Sequence, residues 1–192
     1  MSERIVVITG VPGSGKSTLI KEALATLRSD GTEYQLVNFG DIMLELMKPK
    51  TGMSDRDEIR KVPLKSYINV QRESARRIAR MARIKPVLLD THCLVKKPEG
   101  YYPGLPRLVL DEFQPESIIV IEAMPEEVAE RRAKDVSRSR GKELAIEIDE
   151  HQQLNRAAAM AYSALSGAPV VIIRNSNKGF KKAVDNVISA LR

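Results

Sequence analysis

A β-branched run, Ile5-Val-Val-Ile8, leads directly into Gly10-Val-Pro-Gly-Ser-Gly-Lys16-Ser17-Thr18, and a helix-patterned segment follows at once. Few architectures admit a strand, a glycine-rich turn and a helix in that order without a spacer. Four apolar residues in a row imply a strand buried on both faces, with the turn at its carboxyl end. Glycines 10, 13 and 15 let the backbone wrap so that its N–H groups converge on one point, where an anion can sit. The helix beginning near Lys16 aims the positive end of its dipole at the same point. The pattern Gly-x4-Gly-Lys-Ser therefore reads as a triphosphate cradle made of Gly10, Val11, Pro12, Gly13, Ser14, Gly15, Lys16, Ser17 and Thr18. Lys16 supplies a mobile charge for the β- and γ-phosphates, and Ser17 a hydroxyl for Mg²⁺. The competing reading, a glycine-rich turn beside a solvated lysine, leaves the strand and helix flanks unexplained.

The rest of the chain repeats the alternation. Apolar runs at 34–39, 87–90, 117–122 and 169–173 read as strands, and segments 16–29, 41–48, 64–84, 125–135, 143–166 and 178–191 as helices. Pro49 is expected to stop the helix that begins at Asp41, and Ser54 or Asp55 to cap a short helix running to Lys61. Segment 96–106 is rich in proline and glycine and reads as a loop. Residues 137–142 form a charged connector. Apolar strands separated by helices belong to a parallel sheet covered on both faces. The fold class is α/β, a five-stranded parallel sheet with helices on both faces, in a single domain spanning 1–192.

Ligands of such sheets bind outside the carboxyl ends of the strands, so the segments after Ile8, Phe39, Leu89 and Ile121 should surround one cleft. Asp90, which closes Val87-Leu-Leu-Asp90, is then a candidate to hold Mg²⁺, directly or through water. An aspartate that merely caps the next turn is the alternative. His92 and His151 read as structural, because phosphoryl transfer to an ionised phosphate needs no proton carrier. Cys93 reads as a small core residue.

Composition narrows the classes. A net charge of +6 suits phosphate-bearing ligands and nucleic acid equally. The sole cysteine, Cys93, excludes an intrachain disulfide. No apolar run approaches the ~20 residues of a membrane helix. A cytoplasmic protein without membrane partners is expected. Arg72, Arg76, Arg80 and Arg83, with Arg77 beside them, form a basic stripe at helical spacing, read as a solvated face with nucleic acid as the rival. A guanine-reading Asn-Lys-x-Asp segment is missing; the nearest match, Asn177-Lys-Gly-Phe180, lacks the acid. Arginines instead cluster where loops should converge, at Arg60, at Arg131 and Arg132, and at Arg138 and Arg140. Their planar forks suit phosphate oxygens.

With these residues in place the chain resembles archaeal-type adenylate kinases over essentially its whole length. The resemblance is carried by Gly10–Ser17, Val37-Asn-Phe-Gly-Asp-Ile-Met43, Asp55-Arg-Asp-Glu-Ile-Arg-Lys61, Asp90-Thr-His92, Gly100-Tyr-Tyr-Pro-Gly-Leu-Pro106, Asp149-Glu-His-Gln152 and Asn155–Tyr162. It implies reversible Mg²⁺-dependent transfer of the γ-phosphoryl of ATP to AMP, giving two ADP. It further implies an AMP-binding insertion at about 40–62, in which Gly40 opens the acceptor helix and Arg60 grips the AMP phosphate. Arg138 and Arg140 resemble catalytic arginines of a lid at about 136–143, and Arg131 or Arg132 the arginine of its leading hinge. Gly104-Leu-Pro-Arg107 is similar to the family's Gly-Phe-Pro-Arg segment but departs at its second residue, which leaves Arg107 open as an AMP-phosphate ligand. The short connector without cysteines implies a small lid without zinc. Members of this type form trimers, so a homotrimer is implied. Another nucleoside monophosphate as acceptor is the nearest alternative.

Overall fold

The computed structural model describes residues 4–97, 100–134 and 144–192. The chain runs through β1 (Ile5–Gly10), α1 (Lys16–Ser29), β2 (Gln35–Asn38) and α2 (Phe39–Thr51) to a 3₁₀ turn at Arg56–Lys61. Then come α3 (Leu64–Ala82), β3 (Val87–Asp90), β4 (Leu94–Lys97), β5 (Gly100–Pro103) and α4 (Arg107–Leu110). It continues through β6 (Ser117–Glu122), α5 (Pro125–Lys134), α6 (Ala145–Ser166), β7 (Val170–Arg174) and α7 (Phe180–Leu191).

Five strands pair in the order β2-β3-β1-β6-β7, and every pairing is parallel. Alternation along β1 divides the core. Val6 and Ile8 face α1 and α7, where Leu19, Ile20, Ala23 and Leu27 meet Val184, Val187, Ile188 and Leu191. Ile5 and Val7 face the opposite cluster, built from Phe39, Met43, Ile78, Ala159 and Tyr162. Ile5, Ile8, Leu19, Leu88 and Ile119 are fully buried, and each contributes about 1.5–3 kcal/mol. The α/β expectation therefore holds, and the register places the ends of β1, β3 and β6 side by side: Ile8 pairs with Asp90 and Gly10 with Ile121.

Three local expectations need correction. Pro49 does not end α2, which continues to Thr51 and closes on Gly52, whose N–H donates to Lys48 O at 2.9 Å. Proline removes one intrahelical hydrogen bond, and the burial of Ile42, Met43 and Met47 outweighs that single loss. The same helix begins at Phe39 rather than Asp41, because Asn38 is its N-cap and accepts from Asp41 N–H at 3.2 Å.

Segment 96–106 is not simply a loop. β4 and β5 pair antiparallel, Val95 opposite Tyr102. So short a ribbon is held by tertiary partners, which periodicity does not reveal. Lys97 Nζ lies 4.1 Å from the Tyr67 ring centroid and 4.5 Å from that of Tyr102. Gln71 Nε2 donates to Pro103 O at 3.1 Å, and Tyr101 packs on His151 with centroids 5.3 Å apart. The hairpin is thus gripped by α3 on one side and α6 on the other.

The middle of the arginine stripe of α3 is paired with carboxylates. Arg76 meets Glu112 at 3.0 Å, Arg77 meets Glu45 at 2.7 Å and Arg80 approaches Glu73 at 3.7 Å. This is the pattern of a solvated, charge-balanced face. Among the described residues no helix is long and apolar enough to cross a membrane.

Candidate active site

The turn after β1 has the geometry its glycines allow. Gly15 sits at φ 83°, a left-handed conformation that a side chain would strain, and a Cβ there would lie 2.2 Å from Asn175 Nδ2. Gly10 is constrained by proximity: a Cβ would fall 2.6 Å from Ile121 O, a backbone atom of the neighbouring strand. Ser14 N–H closes the turn by donating to Val11 O at 3.1 Å. Lys16 opens α1, where no side chain caps the first turn and no acid occupies it, so the free N–H groups and the dipole remain available to an anion. Ser17 and Thr18 follow on the exposed side of that turn.

Lys16 is 9% exposed, and its ammonium forms an ion pair with Asp90 Oδ1. The other carboxylate oxygen, Oδ2, accepts from Asn38 Nδ2 at 3.0 Å. One carboxylate at the end of β3 therefore joins the lysine of the turn to the residue that starts α2. Gly40 lies in the first turn of α2, beside this junction. Next along the chain, Thr91 N–H donates to Ile8 O at 3.1 Å and His92 Nδ1 lies 3.1 Å from Gly10 O. Cys93 N–H donates to Thr9 Oγ1 at 3.0 Å. Residues 91–93 thus staple the stem of the turn, which is a structural role for His92. Burial pushes the Cys93 thiol up to about 12, although a hydrogen bond with Thr9 opposes the shift, so it is no nucleophile.

A second set of groups holds the turn from outside: Arg131 and Arg132, which the sequence singled out, and Asn175, which it did not. Arg131 donates to Ser14 O (3.3 Å), Asn175 O (3.1 Å) and Asn177 Oδ1 (2.6 Å). Arg132 Nε donates to Pro12 O at 2.8 Å. Asn175, directly after β7, donates to Ser14 O at 2.7 Å. The convergence of strand ends was the only sequence signal for Asn175. Arg131 and Arg132 occupy the last turn of α5, and each donates to one carbonyl of the turn, while Arg131 also pairs with Glu127 at 3.4 Å.

Deeper in the same wall, Gln152 bonds both backbone groups of Ala123, accepting from its N–H at 3.1 Å and donating to its O at 3.0 Å. Buried Glu122 accepts two bonds from Arg156, at 2.9 and 2.6 Å. Those bonds, then the charge of Glu122, raise the Arg156 pKa above its ordinary value.

The structure does not bring every expected residue to the cleft. Arg107 starts α4 with its side chain 82% exposed and 3.7 Å from Asp111. Arg138, Arg140 and the side chain of Arg60 lie outside the described residues. Asn38 caps α2 and donates to Asp90.

The residues fit a magnesium–triphosphate ligand. The first turn of α1 has no side-chain cap and no acid, which leaves its N–H groups to an anion, and a hydroxyl at Ser17 and a carboxylate at Asp90 are hard oxygen donors. A Mg²⁺ ion that takes most of its ligands from phosphates and water needs one or two carboxylates, not a cluster. Among the described residues no group of three His, Cys, Asp or Glu side chains could hold a metal by itself.

Comparison with known proteins decides the family. A model described as an AAA domain matches residues 9–151. An adenylate kinase of Methanopyrus kandleri is 47% identical over 190 residues, covering 98% of this chain and 97% of its own. Adenylate kinases of Methanococcus aeolicus and Methanocaldococcus jannaschii are each 41% identical over 192 residues, with both chains covered completely. The chain belongs to the adenylate kinase family. Membership makes it a nucleotide-binding phosphotransferase. The parallel sheet is the scaffold that the family's chemistry requires, since it delivers four strand ends to one edge.

Proposed function

We propose that the chain transfers the γ-phosphoryl group of ATP reversibly to AMP, producing two ADP with Mg²⁺. The observation that carries this reading is the shared carboxylate: Asp90 touches Lys16 of the triphosphate cradle and, through Asn38, the start of the helix expected to receive the monophosphate.

The acceptor oxygen of AMP is already ionised at neutral pH, so the protein needs alignment and charge compensation rather than a general base. In this reading the N–H groups of Gly13–Lys16 cradle the β-phosphate, and Lys16 follows charge onto the transferred group. Arg131, Arg132 and Asn175 keep the cradle rigid by holding its carbonyls away from the anion. Mg²⁺, held by Ser17 and through water by Asp90, would neutralise charge on the β- and γ-oxygens. Gly40, Arg60 and Arg107 are assigned to AMP, and Arg138 and Arg140 to a lid that excludes water over the reacting phosphates. A homotrimer in the cytoplasm completes the reading. Full-length likeness to archaeal adenylate kinases supports the first part and the lone buried Cys93 the second.

The test is ADP formation from ATP, AMP and Mg²⁺ by purified protein, run against CMP, UMP and GMP as rival acceptors. AMP should be preferred, and Lys16→Met should lower kcat by at least about 10²-fold with the fold intact. Preference for another monophosphate would overturn the acceptor assignment. Near-normal transfer by Lys16→Met would overturn the role of the lysine.

A further inference from the structure

From His151 to Val184 the chain contains no aspartate or glutamate, yet it carries Arg156, Arg174, Lys178, Lys181 and Lys182. So long an acid-free stretch is unusual in a protein where charged residues make up 29% of the chain and both signs are otherwise mixed. The structure wraps it around one edge of the sheet. Among the described residues β7 pairs with no strand but β6, so its outer edge has no strand partner.

A groove of ≈ 550 Å³ runs along that edge, lined by Arg156 of α6, Ile172 and Arg174 of β7, Ser176, and Lys182 and Asn186 of α7. Among the described residues no carboxylate lines it, and none of Gly10–Thr18 does. Arg156 is committed to Glu122 through two hydrogen bonds. Arg174 and Lys182 are exposed, come from opposite walls, and have no ion pair among the described residues. Gly179, at the mouth of α7, also lines the groove; the first turn of that helix has no side-chain cap and no acid. Ile172, 43% exposed, supplies an apolar wall.

Two converging cations, hydroxyl and amide groups, a helix start without a counter-charge and one apolar wall in a groove of this size suit a ligand with both a phosphate and a less polar body. We infer that the β7 edge groove is a second binding site, distinct from the Gly10–Thr18 cradle, for a phosphate-bearing small molecule of mononucleotide size. Arg174 and Lys182 take its phosphate and Ile172 its apolar part. The groove residue Ser176 adjoins Asn175, which holds the cradle through Ser14 O, so a ligand here bears on the loop that steadies the donor site.

The probe is inorganic tripolyphosphate, titrated calorimetrically into the full chain and into Arg174→Gln/Lys182→Gln. The double variant should bind one equivalent fewer, or bind at one site at least about tenfold more weakly, while KM for ATP and AMP stays within about twofold. Arg174→Lys/Lys182→Arg should restore the lost equivalent. Unchanged stoichiometry and affinity in the Gln variant would overturn the inference. So would a parallel rise in KM for ATP, which would make the groove part of the donor site. Both side chains are exposed, so thermal melting should match the parent and certify that the variants fold.

Discussion

Substituting Gly10 by alanine tests the cradle through a backbone contact alone. The new Cβ would lie 2.6 Å from Ile121 O and 2.8 Å from Ser14 Oγ. The serine hydroxyl can rotate away. The carbonyl cannot, because it belongs to β6, whose Ile121 pairs with Gly10 in register. An ordinary carbon–oxygen contact is about 3.3 Å, so β1 and β6 must part by about 0.7 Å at the point where the turn begins. Overpacking of this kind costs about 1–3 kcal/mol, or about 2–10 °C of Tm for a chain of this length. The larger effect should be catalytic, since displacing reacting groups by about 1 Å can cost 10²-fold in rate. ADP formation under saturating ATP and AMP should therefore fall by about 10–100-fold in Gly10→Ala, well beyond what its loss of stability explains at 25 °C. Gly31→Ala is the matched control. Gly31 has φ 80°, but nothing lies within 4 Å of its Cβ position, so that variant should lose about 1–2 kcal/mol to dihedral strain and retain its kcat. Parent-like kcat in Gly10→Ala, or an equal loss of kcat in Gly31→Ala, would refute the steric reasoning.

Arg131→Ala removes the donor to Ser14 O, Asn175 O and Asn177 Oδ1; KM for ATP should rise about tenfold or more with little change for AMP, and Arg131→Lys should not restore it because an ammonium lacks the planar fork. Gln152→Ala strips partners from the buried N–H and C=O of Ala123 and should cost about 2–5 kcal/mol in urea unfolding. Cys93 should resist thiol reagents in the native state at pH 8 and react once unfolded. Its pKa is raised to about 12 in the fold from an ordinary 9.0, so the native state binds the extra proton between those values. The stability it contributes is complete below about pH 9 and is lost as pH rises toward 12; an alkaline melting series that Cys93→Ala flattens would check the sign.

The sheet and the cradle were legible because each rests on a local pattern. Four uninterrupted β-branched residues and a spaced set of glycines have few alternative uses, and Ile5–Ser17 folds as its pattern demands. What stayed hidden depends on contacts between distant segments. The β4–β5 ribbon is short and bounded by turn formers, and Tyr67, Gln71 and His151 close on it from distant segments. Asn175 lies 161 residues from the serine whose carbonyl it holds, and nothing around it marks it out. Pro49 misleads for the opposite reason: its local penalty is real but smaller than the burial of Ile42, Met43 and Met47 before it. The arginines illustrate a third case, in which residue type is informative and position is not. Arg131 and Arg132 stood out as arginines at the leading hinge of a lid, and in the structure their guanidinium groups hold carbonyls of the turn.

The hydrogen-bonded thread from Lys16 through Asp90 and Asn38 to the amide of Asp41 has a consequence for how the two halves of the cleft can be filled. Asp90 stands between them like the fulcrum of a balance. A triphosphate that draws Lys16 toward itself withdraws one of the carboxylate's two partners, and the grip that remains is Asn38, the residue that sets where α2 begins. In the proposed reading, with Lys16 on the donor and α2 on the acceptor, loading one pan would shift weight onto the other, and the start of α2 would answer to the donor through no moving part larger than one side chain.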